Sequence, residues 1–187
     1  MLMERQKNSE ATPAVMCTAY WAHVYFGLRQ AIRIDSLRYA ISQIPHADPH
    51  RQRKQKLYLA ALLHAVSVCT SGTSHFAQPR SIRGDAELLA VVRRRQIDID
   101  EQFELALEEI RREWMVGPRL PGNRVFCGDI HQILESGSAL DGEQLDLVYL
   151  DPPYTADNYS RFYHVLETLV NYDYPQLEVR RGEVTKG

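Results

Sequence analysis

The 187-residue chain is poor in cysteine: Cys17, Cys69 and Cys127 are odd in number, far apart, and show neither a CxxC nor a Cys/His pair at metal-ligand spacing. That pattern speaks against a disulfide framework and against a zinc site, and the three residues are expected as small core side chains. No apolar run approaches the roughly 20 residues that a membrane-spanning helix needs. The charged opening "MLMERQKNSE" has no apolar stretch behind it that would form a secretory signal. A cytoplasmic protein with no membrane partner is the expectation. Neither sign of charge dominates, since 22 Lys+Arg against 24 Asp+Glu leave a net charge of -2, and there is no internal repeat or low-complexity tract. What remains is a chain 44% hydrophobic and 25% charged, a globular composition long enough for one domain with a core.

The near-neutral total conceals an uneven distribution. Residues 1–120 hold 17 Lys+Arg against 13 Asp+Glu, and residues 121–187 hold 5 against 11. The basic part contains "HRQRKQK" (50–56), with Arg51, Arg53, Lys54 and Lys56, and the run Arg93, Arg94 and Arg95. Either run alone reads as a solvated helix face; together, in one half of the chain, they leave a polyanionic partner open.

Periodicity divides the chain in the same place. In "LRQAIRIDSLRYAISQI" (28–44), Ile34, Leu37, Ile41 and Ile44 share one helix face, and Pro45 ends the pattern. "QKLYLAALLHAVSVC" (55–69) is apolar nearly all round and reads as a buried helix, halted by the turn-forming "TSGTSHF". A third helical pattern runs from Ile99 through Phe103, Ala106, Leu107 and Ile110 to Trp114, and "VGPRLPGN" (116–123) breaks it. Beyond this boundary "RVFCG" (124–128) and "LDLVYL" (145–150) read as strands, with a short helix at 130–135 between them. Strand, helix, strand, acid-containing loop and helix is the order of a parallel α/β sheet, in which ligands sit beyond the carboxyl ends of the strands. Asp129 and "DPPY" (151–154) fall at such ends, although Asp129 is equally well explained as a helix N-cap.

The stretch "LDLVYLDPPYTADNYSRFYHVLETLV" (145–170) suits a particular chemistry. An exocyclic amine on a purine is a poor nucleophile because its lone pair is delocalised into the ring. Asp151 and the carbonyl of Pro152 can accept hydrogen bonds from the amino hydrogens and draw the lone pair out. Pro152 and Pro153 fix their backbone φ and offer no N–H to compete. Tyr154 can stack on the face of an extruded base. A DPPY tetrapeptide alone is also compatible with a surface turn; the strand-type residues before it and the helix after it, with Phe162, Val165, Leu166 and Leu169 on one side, favour the pocket.

On these residues the chain resembles the S-adenosylmethionine-dependent DNA adenine-N6 methyltransferases, whose catalytic motif is DPPY. "DPPYTADNYSRFYHVLETLVNYDYP" is similar to that family's catalytic strand end and following helix, and "LRQAIRIDSLRYAI" and "TSGTSHFAQP" to its segments upstream of the motif. The resemblance implies that Asp151, Pro152 and Tyr154 bind the target adenine and support methyl transfer, with Pro153 shaping the catalytic loop. It implies that Asp129 and Ile130 touch S-adenosylmethionine and that the middle of the chain recognises double-stranded DNA; no metal site is expected. The expected fold is α/β, a partial Rossmann-like methyltransferase sheet with a helical DNA-recognition region. The expected division is a mostly helical part at 1–120 and a catalytic part at 121–187.

One departure stands out. The family places a glycine-rich FxGxG-type loop before its recognition region, and no GxG occurs in this sequence. The expectation is therefore a portion of an adenine methyltransferase trimmed at both ends, from a disrupted gene or a split enzyme. Its partners would be duplex DNA, a restriction endonuclease or a complementing N-terminal fragment. The alternatives are a non-catalytic DNA-binding remnant or accessory subunit, and an RNA-modifying methyltransferase.

Overall fold

A computed structural model describes residues 14–72, 75–116, 123–135, 146–152, 159–174, 178–180 and 183–186. It comprises helices α1 (Met16–Tyr20), α2 (Leu28–Ser42), α3 (Arg51–Cys69), α4 (Asp85–Arg95), α5 (Ile99–Val116), α6 (Ile130–Glu135) and α7 (Ser160–Asn171), then strands β1 (Glu178–Arg180) and β2 (Glu183–Lys186). The chain forms two compact units: Met1–Met115 with Asn158–Gly187, and Val116–Asp157.

The expected α/β architecture is corrected by this structure. Among the described residues, 124–128 and 146–150 contain no strand, and the strands present are β1 and β2, an antiparallel pair with Val179 opposite Val184. The physical reason is that β-type sequence does not close its own backbone hydrogen bonds. A central parallel strand needs a neighbour on each edge and cover on both faces. Val125 is 97% exposed and Leu147 86%, so neither segment has that cover.

In the first unit the helical periodicities hold. Ile34 and Ile41 turn inward from α2 with Leu37 packed beside them, and α7 buries Val165 and Leu169. Trp21, Phe26, Met16, Leu62 and Ile99 complete the core. Helix α3 is less enclosed than its composition suggests: Ala61, Leu62, Ala65, Val66 and Cys69 are buried, while Ala60, His64 and Ser67 face solvent. Cys17 and Cys69 are core residues as expected, but Cys127 is exposed.

Polar groups fix how these helices meet. Asp35, 1% exposed, accepts from the Cys17 N–H at 2.8 Å through Oδ1 and from the Thr18 N–H at 2.8 Å and hydroxyl at 2.7 Å through Oδ2. It thereby caps the otherwise unpartnered donors at the start of α1. Its Oδ1 also accepts from the Tyr172 hydroxyl at 2.8 Å. Tyr172 is the C-cap of α7 in a left-handed conformation, φ 57°, which an aromatic residue adopts only when its surroundings hold it there. Arg38, one turn beyond Asp35, donates to the last carbonyls of α7, Leu169 O at 2.7 Å and Val170 O at 2.9 Å, and lies over the Tyr172 ring. A cation at a helix C-terminus is favoured by the helix dipole as well as by these bonds.

Gln30 performs a similar service at the other end of α2. Its Nε2 donates to Arg94 O and Ile97 O, both at 2.9 Å, and its Oε1 accepts from the Gly27 N–H at 3.0 Å. The turn after α3 docks through Ser71, whose N–H and hydroxyl both donate to Tyr25 O at 2.8 Å. A Cβ at Gly72 would lie 2.9 Å from the His75 carbonyl oxygen, so this turn closes only around glycine.

Candidate functional site

Two regions hold the residues singled out by sequence. The first lies in the unit Val116–Asp157. Asp151 and Pro152 are exposed, and Pro153 and Tyr154 lie outside the described residues. Asp129 caps α6: its Oδ1 accepts from the His131 N–H at 2.9 Å and the Gln132 N–H at 3.2 Å, and its carbonyl accepts from the Ile133 N–H. This is the Asx arrangement that a short-chain acid favours at a helix start. Ile130, the next residue, is 56% exposed. Arg124 lies over the Phe126 ring with its guanidinium carbon 5.9 Å from the centroid.

The second region is basic. Arg51, Arg53, Lys54 and Lys56 occupy the first two turns of α3, and the structure divides them by task. Arg51 folds back, donating from Nε to Ile44 O at 3.0 Å and from Nη1 to His46 Nδ1 at 2.7 Å. Lys54 pairs with Asp48 at 2.5 Å; that contact raises the lysine pKa and lowers the carboxyl, in each case chiefly through the hydrogen bond. Asp48 Oδ1 also accepts from the His50 N–H at 2.8 Å. Together these bonds fix the loop that enters α3. Arg53 instead lies over the Trp114 indole, its guanidinium carbon 4.0 Å from the ring centroid, and Lys56 is exposed.

Arg93, Arg94 and Arg95 form the last turn of α4, a placement that suits its dipole. Arg94 donates to Val68 O at 2.8 Å, and Arg95 to His23 O at 2.8 Å. Burial lowers the Arg95 pKa from its ordinary value. These two arginines tie α4 to the end of α3 and to the turn after α1, while Arg93 remains exposed.

A cavity of about 750 Å³ is lined by His46 and residues 48–53 together with Lys56, Leu57 and Trp114. Sequence reading missed Trp114, which closes the periodic pattern of α5 as a core residue would, yet is 52% exposed. The signal that could have found it is its place as the last large side chain before a helix break, where a helix outruns its packing partner. Among the described residues no cluster of His, Cys, Asp and Glu suits a metal ion, and no helix is long and apolar enough to cross a membrane.

The decisive comparison falls on the DPPY segment: residues 117–183 match the sequence model described as D12 class N6 adenine-specific DNA methyltransferase. Over these residues the chain is similar to that family. Two curated relatives are similar to the chain over most of its length. Modification methylase LlaI of Lactococcus lactis subsp. lactis is 26% identical over 169 residues, covering 87% of this chain and 23% of the relative. Type II methyltransferase M.FokI of Planomicrobium okeanokoites is 24% identical over 159 residues, covering 85% of this chain and 21% of the relative. The chain thus spans less than a quarter of the length of these relatives. No solved structure matches the chain.

Proposed function

We propose that the chain is the motif-bearing portion of a cytoplasmic enzyme that methylates the N6 amino group of adenine in double-stranded DNA. The observation that carries this reading is the D12 match over 117–183, with DPPY inside it. Residues 1–120 would serve DNA recognition and 121–187 catalysis. In the reaction, Asp151 and the Pro152 carbonyl accept the adenine amino hydrogens and localise the nitrogen lone pair, Pro153 keeps the loop rigid, and Tyr154 stacks on the flipped base. Arg51, Arg53, Lys54, Lys56 and Arg93 to Arg95 supply positive charge toward the phosphates. A restriction endonuclease and a polypeptide supplying the remaining sequence of the curated relatives are the partners this reading implies.

The methyl donor expected for the family is S-adenosylmethionine, which offers an electrophilic methyl group on sulfur. The described residues do not by themselves form its site. Every residue from 123 to 130 is exposed, Asp129 Oδ1 is committed to capping α6, and the sequence has no GxG to bring backbone close to the ligand. The isolated chain should accordingly bind this donor weakly; micromolar affinity by titration calorimetry would overturn that expectation.

The activity is tested by placing residues 14–187 into the LlaI methylase in place of its matching segment and assaying adenine methylation of duplex DNA. Activity that falls by about a hundredfold to a thousandfold on Asp151→Asn supports the reading, since that is the usual cost of losing one positioned electrostatic contact. A folded chimera that binds duplex and methylates nothing would favour the non-catalytic, DNA-binding alternative.

A further inference from the structure

We infer that the groove between the α3 entry and Trp114 is a phosphodiester-binding site for duplex DNA, formed by Arg53, Lys56, His46 and His50 around the Trp114 indole. The inference rests on the DNA-directed reading above and adds to it a location and three residues, His46, His50 and Trp114, that the basic runs do not contain.

Arg53 and Lys56 are three residues apart on α3 and so project from one helix face. A guanidinium stacked on an indole is held by its face, which leaves its N–H edge to bond outward; a phosphate accepts two such bonds in parallel. Lys56 makes no hydrogen bond or ion pair among the described residues, and it lines the same cavity. His46 contributes by elimination. Arg51 can only donate, so His46 Nδ1 accepts its hydrogen bond and the ring carries its own hydrogen at Nε2, leaving a donor there.

The one carboxylate in the cavity lining, Asp48, is already matched by Lys54 and by the His50 N–H, so it does not oppose an anion. A second cavity, of about 570 Å³, shares Trp114 but is lined by Glu109 and Glu113. Trp114 therefore marks the border between a basic and an acidic groove, and a polyanion is admitted on one side of it.

The full chain provides its own reporter, because its two tryptophans are Trp21, 2% exposed, and Trp114, 52% exposed. Titration with duplex DNA should change the tryptophan emission, and Trp114→Phe should abolish the change. The double variant Arg53→Ala/Lys56→Ala, with circular dichroism and urea midpoint unchanged, should bind duplex roughly tenfold more weakly. The slope of its log affinity against log salt should be shallower by about 2, at roughly 0.9 per phosphate contact. Duplex binding with unchanged affinity and slope in the double variant would overturn this site while leaving the DNA-directed reading intact. Absence of duplex binding by the unaltered chain at low salt would instead remove that reading, and the site with it.

Discussion

Trp21, Phe26, Ile34, Leu62, Val165 and Leu169 in the helical unit are each 2% exposed or less, whereas Val125, Leu147, Tyr149 and Leu150 in the unit Val116–Asp157 are 97%, 86%, 83% and 76% exposed. The two sets are chemically alike, so hydrophobicity does not separate them. Hydrogen-bond closure does. A helix satisfies its own backbone and has only to bury one stripe, which α2, α3 and α7 do against one another. An extended apolar segment must find a neighbouring strand before burial is worth having. Polar anchoring differs too: Asp35, Arg38 and Gln30 each bridge elements of the helical unit, while among the described residues Asp129 bonds within the turn that it caps.

The contrast is broken most severely at Asp35. Asp35→Ala leaves the Cys17 and Thr18 N–H groups, the Thr18 hydroxyl and the Tyr172 hydroxyl without their acceptor. It should lower the stability by about 3 to 4 kcal/mol, since each abandoned buried donor costs roughly 1 kcal/mol or more. Urea denaturation followed by far-UV circular dichroism checks this, and a loss under 1 kcal/mol would show that Asp35 is not the anchor of α1 and α7.

Raising the pH should act on the helical unit, with the Tyr25 contribution next in size. Burial pushes the Tyr25 phenol from 10.0 up to about 12 and the Cys69 thiol from 9.0 up to about 12. Burial also raises Tyr172, with the neighbouring Asp35 carboxylate adding to the effect. A raised folded-state value means that the unfolded chain releases its proton first. The stability is then fully present below pH 9, declines as Cys69 and then Tyr25 would ionise in the unfolded state, and is lost through pH 12. For Tyr25 the loss is on the order of 2 to 3 kcal/mol across pH 10 to 12. Urea midpoints between pH 8 and 11.5 read it, and Tyr25→Phe should flatten the upper part of the curve; an identical slope in that variant would assign the effect elsewhere.

Arg38→Ala removes two charge-assisted bonds from the end of α7 and the contact with Tyr172. It is expected to cost about 1 to 2 kcal/mol in the same urea experiment, with faster amide exchange confined to the last turn of α7. Smallest of all should be Leu147→Ser. A side chain this exposed contributes to no core, so the urea midpoint of the chain should move by less than about 0.5 kcal/mol. A large destabilisation would mean that residues 146–150 are packed in solution.

Much of the helical unit was legible in sequence because helical information is local. The spacing of Ile34, Leu37 and Ile41 locates the inner face of α2, and Val165 and Leu169 do the same for α7. Asp129 at the head of α6 is a cap by composition alone. Helix α4 was not foreseen: in "DAELLAVVRRR" only Val91 is buried, so no apolar stripe announces it. The short α1 was missed because it is held by Asp35, a side chain 18 residues away from Cys17 in the chain.

For the candidate sites the division is similar. The residues of DPPY and the family match over 117–183 are properties of sequence, since the chemistry of a carboxylate, two prolines and a ring can be read in order. The basic run at 50–56 is visible as charge, but its composition gives Arg51, Arg53, Lys54 and Lys56 equal standing. Only the tertiary structure separates them, because Arg51 and Lys54 find acceptors in the preceding loop while Arg53 meets an indole from a helix 61 positions further along the chain. The expected sheet marks the opposite limit: sequence supplied β-type residues, but a strand exists only where a second strand supplies the other half of each hydrogen bond, and that is decided by the tertiary structure.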